Sequence, residues 1–383
     1  MSVVTYGGAS PARRSVAISP TLAALILLTL AGFVASVWRL IVGMGPTTAL
    51  TDDYPWGIWI GFDFGLIAFA GAGFTMTTIV YVLGLERFRE ALRPAVLAGL
   101  CGYIAVLLLL VLDLGRWDRF YHFLIYWNVH SPLFEISWCV LLYTTVLLFE
   151  NSPQLFERLG RHGLVRLIHQ YVIPLVVIGL TLSSLHQSTL GTLYLNMPYR
   201  LQTLWYSPIL SLLFFVSSIM AGLSIAMIAY MVAARLRGRS AKPAILSGLA
   251  TGVAWVALVY VVLKVGDLWL AGELPALFAF DRISGLMWLE LGVLAVLPML
   301  LFFVPSLRNR RSVQWVGVVM ILCGVLLNRF DATLFAQLAP AGATYSPHIL
   351  EWLSTIGVLA AALLAWYLGV RYLAAFEDSH QEG

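Results

Sequence analysis

The stretch Trp127-Asn-Val-His-Ser-Pro-Leu-Phe-Glu-Ile-Ser-Trp138 places a carboxylic acid, Glu135, just inside an apolar run that continues to residue 150. A run of this length and composition is typical of a membrane-spanning helix. An ionised carboxylate in hydrocarbon is costly unless it is paired, so an acid in this position is a functional candidate by default. We therefore interpret the rest of the chain as a scaffold that holds Glu135 among other polar groups at one depth of a bilayer.

The composition is that of a polytopic membrane protein. Of the 383 residues, 60% are hydrophobic and 11% are charged, and the mean hydropathy is +0.88. Soluble domains carry about 25% charged residues. A net charge of +4 gives no reason to expect nucleic-acid binding. The three cysteines each fall within an apolar run and form no CxxC motif, which excludes a self-contained iron–sulfur, zinc or c-type haem site.

Ten segments reach the length of about 20 apolar residues that a span needs. They are 18–41, 56–84, 93–115, 131–150, 166–187, 205–234, 244–270, 283–305, 312–330 and 348–373. The sequence predicts an all-α fold with an N-terminal tail (residues 1–17), a ten-helix membrane domain (18–373) and a C-terminal tail (374–383). Dense glycines in the second segment, including Gly71 and Gly73, predict tight packing of that helix in the centre of the bundle.

Basic residues divide unequally between alternate ends of these segments. One set of ends holds 16 of the 23 and the other set holds 7. The positive-inside rule then predicts that both termini are cytoplasmic. Tyrosine and tryptophan residues crowd the opposite, outer side, as an interfacial belt does.

Titratable side chains concentrate in the outer half of the predicted spans. They are Asp63, Asp113, Glu135, His186 and Glu290, and Arg116 lies at the outer end of the third segment. The predicted inner half offers only hydroxyl groups. Lys264 and Asp267 have the i,i+3 spacing that favours a structural ion pair. Asp113 and Arg116 have the same spacing, and for that pair a structural and a functional role stay equally open.

A further structural interpretation applies to Arg329 and Asp331. Both sit at the predicted end of the ninth segment, where a long basic side chain can extend to the membrane surface.

Histidine placement disfavours a di-haem cytochrome. A membrane haem b needs two axial ligands, usually histidines at similar depth on facing helices. Only His186 lies firmly at such a depth, and His169 is seventeen residues away on the same predicted helix. The remaining acid, imidazole, amide and aromatic groups suit the head group of a quinone.

Several motifs resemble the polysulfide-reductase/NrfD family, and within it the ten-span membrane subunits of periplasmic hydrogenase and related redox complexes. They are Pro55-Trp-Gly-Ile-Trp-Ile-Gly-Phe-Asp63, Asp113-Leu-Gly-Arg116, Trp127-Asn-Val-His-Ser-Pro-Leu-Phe-Glu135, His186-Gln-Ser-Thr-Leu-Gly-Thr-Leu193 and Leu204-Trp-Tyr-Ser-Pro208.

The resemblance implies a subunit of the bacterial inner membrane with no haem or iron–sulfur cluster of its own. Its substrate would be menaquinone or ubiquinone. Its partner would be a periplasmic four-cluster iron–sulfur protein, connected to a catalytic subunit such as a hydrogenase, a sulfur enzyme or a multihaem cytochrome.

The resemblance also implies roles for particular residues. Asp63, Asp113, Arg116, Glu135 and His186 would lie at the quinone pocket or on its proton route. Supporting groups would be Asn128, Gln187 and Glu290. Glu135 would exchange protons with the periplasmic side.

Two alternatives stay open at this point. A proton- or ion-coupled transporter would need charges across the bilayer midplane and broken helices in paired halves. A plain membrane anchor for a periplasmic enzyme would use the acids only in structural ion pairs. The sequence leaves the catalytic partner, the direction of electron flow and the quinone type undetermined.

Overall fold

The computed structural model describes residues 19–338 and 343–373, and within them it contains ten helices long and apolar enough to span a membrane. They are α1 (Pro20–Val42), α2 (Ile58–Val82), α3 (Glu86–Asp113), α4 (Pro132–Arg158), α5 (Val172–Leu195), α6 (Leu210–Leu236), α7 (Pro243–Leu270), α8 (Arg282–Phe303), α9 (Arg311–Phe335) and α10 (Ile349–Tyr372). The predicted all-α, ten-span fold is confirmed. The two predicted tails lie outside the described residues, and their location stays a prediction.

Helix α4 is longer than the apolar run predicts, because its last two turns make polar contacts with α3. The Asn151 amide donates to the carbonyl of Leu147 at 2.8 Å and lies 3.4 Å from that of Val96. Arg93 forms a two-pronged ion pair with Glu157 at 2.7 and 2.8 Å. Hydropathy alone predicts that the helix ends before these residues. A separate short helix, His162–Gln170, then precedes α5.

The ten helices form two groups of four and one peripheral pair. Helices α2–α5 pack together, and α6–α9 pack beside them. Helices α1 and α10 pack against each other and α10 packs on α3. Gly32 and Gly357 allow α1 and α10 to touch, since a Cβ at Gly32 would lie 2.3 Å from the Gly357 Cα.

Helices α2 and α6 bury the largest share of their length and join the two groups. They meet at Gly71 and Gly222, where a Cβ on Gly222 would lie 2.9 Å from the carbonyl of Gly71. On another face of α2, Gly73 approaches Gly99 of α3. The predicted central position of α2 is confirmed, and small residues make it possible.

Each end of the bundle has its own chemistry. The aromatic end comprises loops 43–57, 114–131, 196–209, 271–281 and the described parts of 336–348. The arginine-rich end comprises loops 83–85, 159–171, 237–242 and 304–310. Since successive helices are antiparallel, each helix places one terminus at each end.

Three of the described spans contain a π-helical stretch. These stretches are Thr78–Val82 in α2, Trp288–Val296 in α8 and Asp331–Phe335 in α9. π-Helical segments inside α-helices are rare and occur frequently at functional sites.

Candidate quinone site

His186 is fully buried on α5 and contacts α3. Its Nδ1 lies 3.0 Å from the hydroxyl of Tyr103, and the Tyr103 ring packs edge-on against Tyr143 with centroids 4.7 Å apart. No described residue hydrogen-bonds to Nε2 of His186, although this atom is buried. The imidazole is therefore held by one nitrogen while the other is available to a further group.

Gln187 and Asp63 present similarly unused oxygens nearby. The Gln187 amide donates to the carbonyl of Ile67 on α2 at 2.7 Å, which fixes the side chain and leaves its Oε1 without a partner. Asp63 lies one turn before Ile67, interacts electrostatically with Tyr103, and has a buried Oδ1 without a partner. Buried polar atoms are rarely unpaired, so these three atoms are candidates for contact with a polar ligand or water.

Glu135 is partly buried at the start of α4 and is tied to α5. Its Oε1 accepts a hydrogen bond of 2.8 Å from Thr189, which lies one turn beyond His186. Trp56 and Tyr194 form an edge-on aromatic pair at the same end of the bundle, with centroids 6.1 Å apart. The geometry thus places an acid, an imidazole and aromatic side chains near the aromatic end of the α2–α5 group.

Asp113 has a different charged partner from the one the sequence suggests. Its buried Oδ1 has no hydrogen-bond partner, and the cation that acts on it is Arg39 of α1. Arg39 is 1% exposed and donates to the carbonyl of Leu114 at 2.8 Å. The predicted i,i+3 pair of Asp113 with Arg116 is wrong, because α3 ends at Asp113 and the extended backbone of Leu114 redirects the chain.

Two other predicted residues lie outside the buried group. Arg116 is exposed and pairs with Asp118 at 2.9 Å, which raises the pKa of Arg116 and lowers that of Asp118. Asn128 is exposed in the loop before α4. The structure does not bring either side chain to His186.

Glu290 belongs to the second helix group. It accepts hydrogen bonds from Trp205 Nε1 at 2.9 Å, the Tyr260 hydroxyl at 3.1 Å and Asn328 Nδ2 at 2.9 Å. These partners come from loop 196–209, α7 and α9. Glu290 is therefore the centre of a separate polar cluster and does not support the His186 group directly.

Two cations in this second cluster depart from their predicted roles. Arg329 is fully buried, stacks 3.7 Å above the Phe214 ring and donates to Ser217 Oγ at 2.8 Å. The prediction that its side chain extends to the membrane surface is wrong, because α9 continues beyond Arg329 to Phe335. Lys264 donates to the carbonyl of Leu204 at 2.6 Å, so the simple ion pair with Asp267 does not describe its main contact.

The arginine-rich half contains a partly buried acid that the sequence analysis missed. Glu150 of α4 lines a cavity of about 40 Å³ together with Gln154, Arg93, His169 and nine other residues. The apolar run ends at this residue, so hydropathy assigns it to the surface. The prediction that only hydroxyls occupy this half is wrong.

Comparison with known proteins identifies the family. The model of the family "Polysulphide reductase, NrfD" matches residues 46–341. A protein of Nitratidesulfovibrio vulgaris is 34% identical over 338 residues, covering 85% of this chain and 86% of the relative.

Two further relatives carry functional names. The probable Ni/Fe-hydrogenase 2 b-type cytochrome subunit of Escherichia coli is 31% identical over 346 residues, covering 88% of this chain and 87% of the relative. The menaquinone reductase integral membrane subunit of N. vulgaris is 29% identical over 378 residues, covering 90% of this chain and 88% of the relative. The chain belongs to the polysulphide reductase NrfD family.

Proposed function

We propose that this protein is the quinone-reactive membrane subunit of a redox complex. It exchanges electrons between quinone in the bilayer and a partner that docks at the aromatic end. The buried imidazole of His186, anchored by Tyr103 and with Nε2 unused, is the observation that supports this function most strongly. The names of the menaquinone reductase and hydrogenase relatives agree with the proposal.

The unused atoms match the requirements of a quinone head group. Its two oxygens accept hydrogen bonds in the quinone and donate them in the quinol, and interconversion moves two electrons and two protons. Nε2 of His186 can donate to one oxygen when the imidazole proton is there, while Gln187 Oε1 and Asp63 Oδ1 can accept from a hydroxyl. Apolar and aromatic walls suit the ring and the tail.

Glu135 is placed to exchange the protons. It contacts the His186 helix through Thr189 and is less deeply buried than Asp63, so it lies between the buried group and the aromatic end. A carboxyl group in hydrogen-bonding reach of a reacting group can act as its proton acceptor and donor. We therefore assign Glu135 to proton exchange and Asp113, with Arg39, to the charge balance of the same end.

The name of the E. coli relative implies a haem, and the residues of this chain do not fit one. Two facing histidines at similar depth would be needed. Among the described histidines only His186 is buried, and its Nδ1 is engaged by Tyr103. We propose that this chain holds no haem and that a partner receives the electrons.

The aromatic end is the proposed docking side. Its loop 114–131 exposes Phe120, Tyr126 and Trp127, whose side chains are 58%, 68% and 66% accessible. By the positive-inside rule the arginine-rich end would be cytoplasmic, and the aromatic end would then be periplasmic in a bacterial inner membrane. A periplasmic iron–sulfur protein linked to a catalytic subunit is the partner that this arrangement favours.

Glu135→Gln tests the proposal. The amide keeps the Thr189 contact but cannot exchange a proton, so we expect quinol-linked turnover of the complex in native membranes to fall at least tenfold. Glu273→Gln is the matched control, because Glu273 also accepts a threonine hydroxyl at the aromatic end, from Thr203 at 2.9 Å. Unchanged turnover in Glu135→Gln, at an equal amount of assembled protein, would contradict the assignment.

A further inference from the structure

Two of the three described π-helical stretches each contribute an acid to one cluster in the second helix group. Glu290 lies in the stretch of α8, and Asp331 begins the stretch of α9. Glu290 and Asp331 are 2% and 0% exposed. The two π-helical stretches therefore bring two buried carboxyl groups into the membrane domain away from the proposed quinone site.

Glu290 is surrounded by hydrogen-bond donors. Its Oε2 accepts from Trp205, and its Oε1 accepts from both Tyr260 and Asn328. The Asn328 amide is oriented by Arg329, which donates to its Oδ1 at 2.5 Å. Both oxygens of Glu290 therefore accept hydrogen bonds from donors of the protein.

Asp331 has the opposite environment. It lies one turn beyond Asn328, whose amide donates to Glu290 at 2.9 Å, and its carboxyl group interacts with that of Glu290. No donor group of the described residues hydrogen-bonds to either of its oxygens. A single proton on either carboxyl group, donated to the other, satisfies this contact.

The surrounding charges leave room for either protonation state. Lys264 of α7 and Arg329 of α9 act on Glu290, and Arg282 at the start of α8 acts on Asp331. The hydroxyl of Tyr260 donates to Glu290 and interacts electrostatically with Asp331. With the proton, one carboxylate faces Lys264 and Arg329, and without it two carboxylates face them, while Asp267 also acts on Lys264.

We propose that Glu290 and Asp331 form a proton-binding site that holds one exchangeable proton between them. Two neighbouring buried carboxyl groups that share one proton bind and release it as a pair. The site lies in α8 and α9, whereas the proposed quinone residues lie in α2–α5. It gives the second helix group a chemical function of its own.

Infrared spectroscopy of the purified full-length protein tests this site without any quinone, and so independently of the proposed function. The C=O band of a protonated carboxyl group shifts on transfer from H₂O to D₂O. Asp331→Asn and Glu290→Gln should each lose one such band relative to the wild type. Asp267→Asn, on neighbouring α7, is the control and should lose none.

Tyr260→Phe provides a second test that retains both acids. Removing one donor makes Glu290 a stronger acceptor for the shared proton, so the band should shift rather than disappear. Retention of the wild-type carboxyl spectrum in Asp331→Asn or Glu290→Gln would overturn the proposal. If neither Asp331→Asn nor Glu290→Gln can be purified, an unshifted carboxyl band in Tyr260→Phe would also overturn the proposal.

Discussion

Arg329 stabilises the second helix group from within. Its guanidinium group bonds to the backbone carbonyl of Phe214 at 3.1 Å and to Asn328 and Ser217, so one side chain connects α9 to α6. It also supplies positive charge to Glu290. A buried charge with several hydrogen-bond partners leaves all of them unsatisfied when it is removed.

Arg329→Met should therefore destabilise the protein strongly. Methionine retains much of the apolar stem but none of the donors, and loss of one member of a buried charged network costs about 3–5 kcal/mol. Arg282→Met, at an exposed position, should change stability by less than about 0.5 kcal/mol. Thermal unfolding of both variants in one detergent measures the difference, and equal midpoints would show that Arg329 is not a structural link.

The sequence locates single residues well when apolar flanks fix their depth, and poorly when depth depends on where a helix stops. His186 lies within the predicted fifth segment, so its burial could be predicted. Its partner Tyr103 is 83 positions away and belongs to no motif. Arg329 and Glu150 lie at the ends of apolar runs, where contacts with other helices decide whether the helix continues.

Helix α2 depends on glycine at its closest approach to α6. A Cβ on Gly222 would lie 2.8 Å from Thr75 Oγ1 and 2.9 Å from the Gly71 backbone. Real Cβ atoms do not approach backbone this closely, so the helices would have to separate. The contact joins the helix group with the proposed quinone site to the group with the carboxyl pair.

Gly222→Ala should lower the thermal midpoint because of this crowding, by an amount equivalent to about 1–3 kcal/mol. Gly266→Ala on α7 is the matched control, since a Cβ there has no neighbour within 4 Å. The control should show no loss of stability. If the two alanine variants unfold at the same temperature, the close α2–α6 contact is not what joins the groups.

Element number and order could be predicted from hydropathy, because ten apolar runs fix ten helices. The arrangement of those helices could not, since it follows from contacts such as Gly71 with Gly222 and Gly32 with Gly357. The π-helical stretches also escape prediction. The π-helical stretch around Glu290 changes which residues share a face of the helix. That change cannot be detected in the sequence, because the neighbouring residues are apolar on every face.

At the scale of the whole molecule, the two helix groups divide the polar chemistry. Helices α2–α5 hold His186, Glu135 and Asp63, while α6–α9 surround Glu290 and Asp331. Glu290 could be identified as a buried acid from the sequence. Its place in a polar cluster separate from His186 could not be predicted. That assignment depends on which helices face each other, so it required the fold.

Binding of a short-tailed menaquinone analogue to the purified protein tests the central claim most directly. His186→Phe keeps an aromatic ring but removes both ring nitrogens, and loss of one buried hydrogen bond of about 1–1.5 kcal/mol should weaken binding roughly tenfold. His169→Phe, which changes an exposed histidine at the arginine-rich end, should bind as the wild type does. Equal dissociation constants for wild type and His186→Phe would contradict a quinone site at this imidazole.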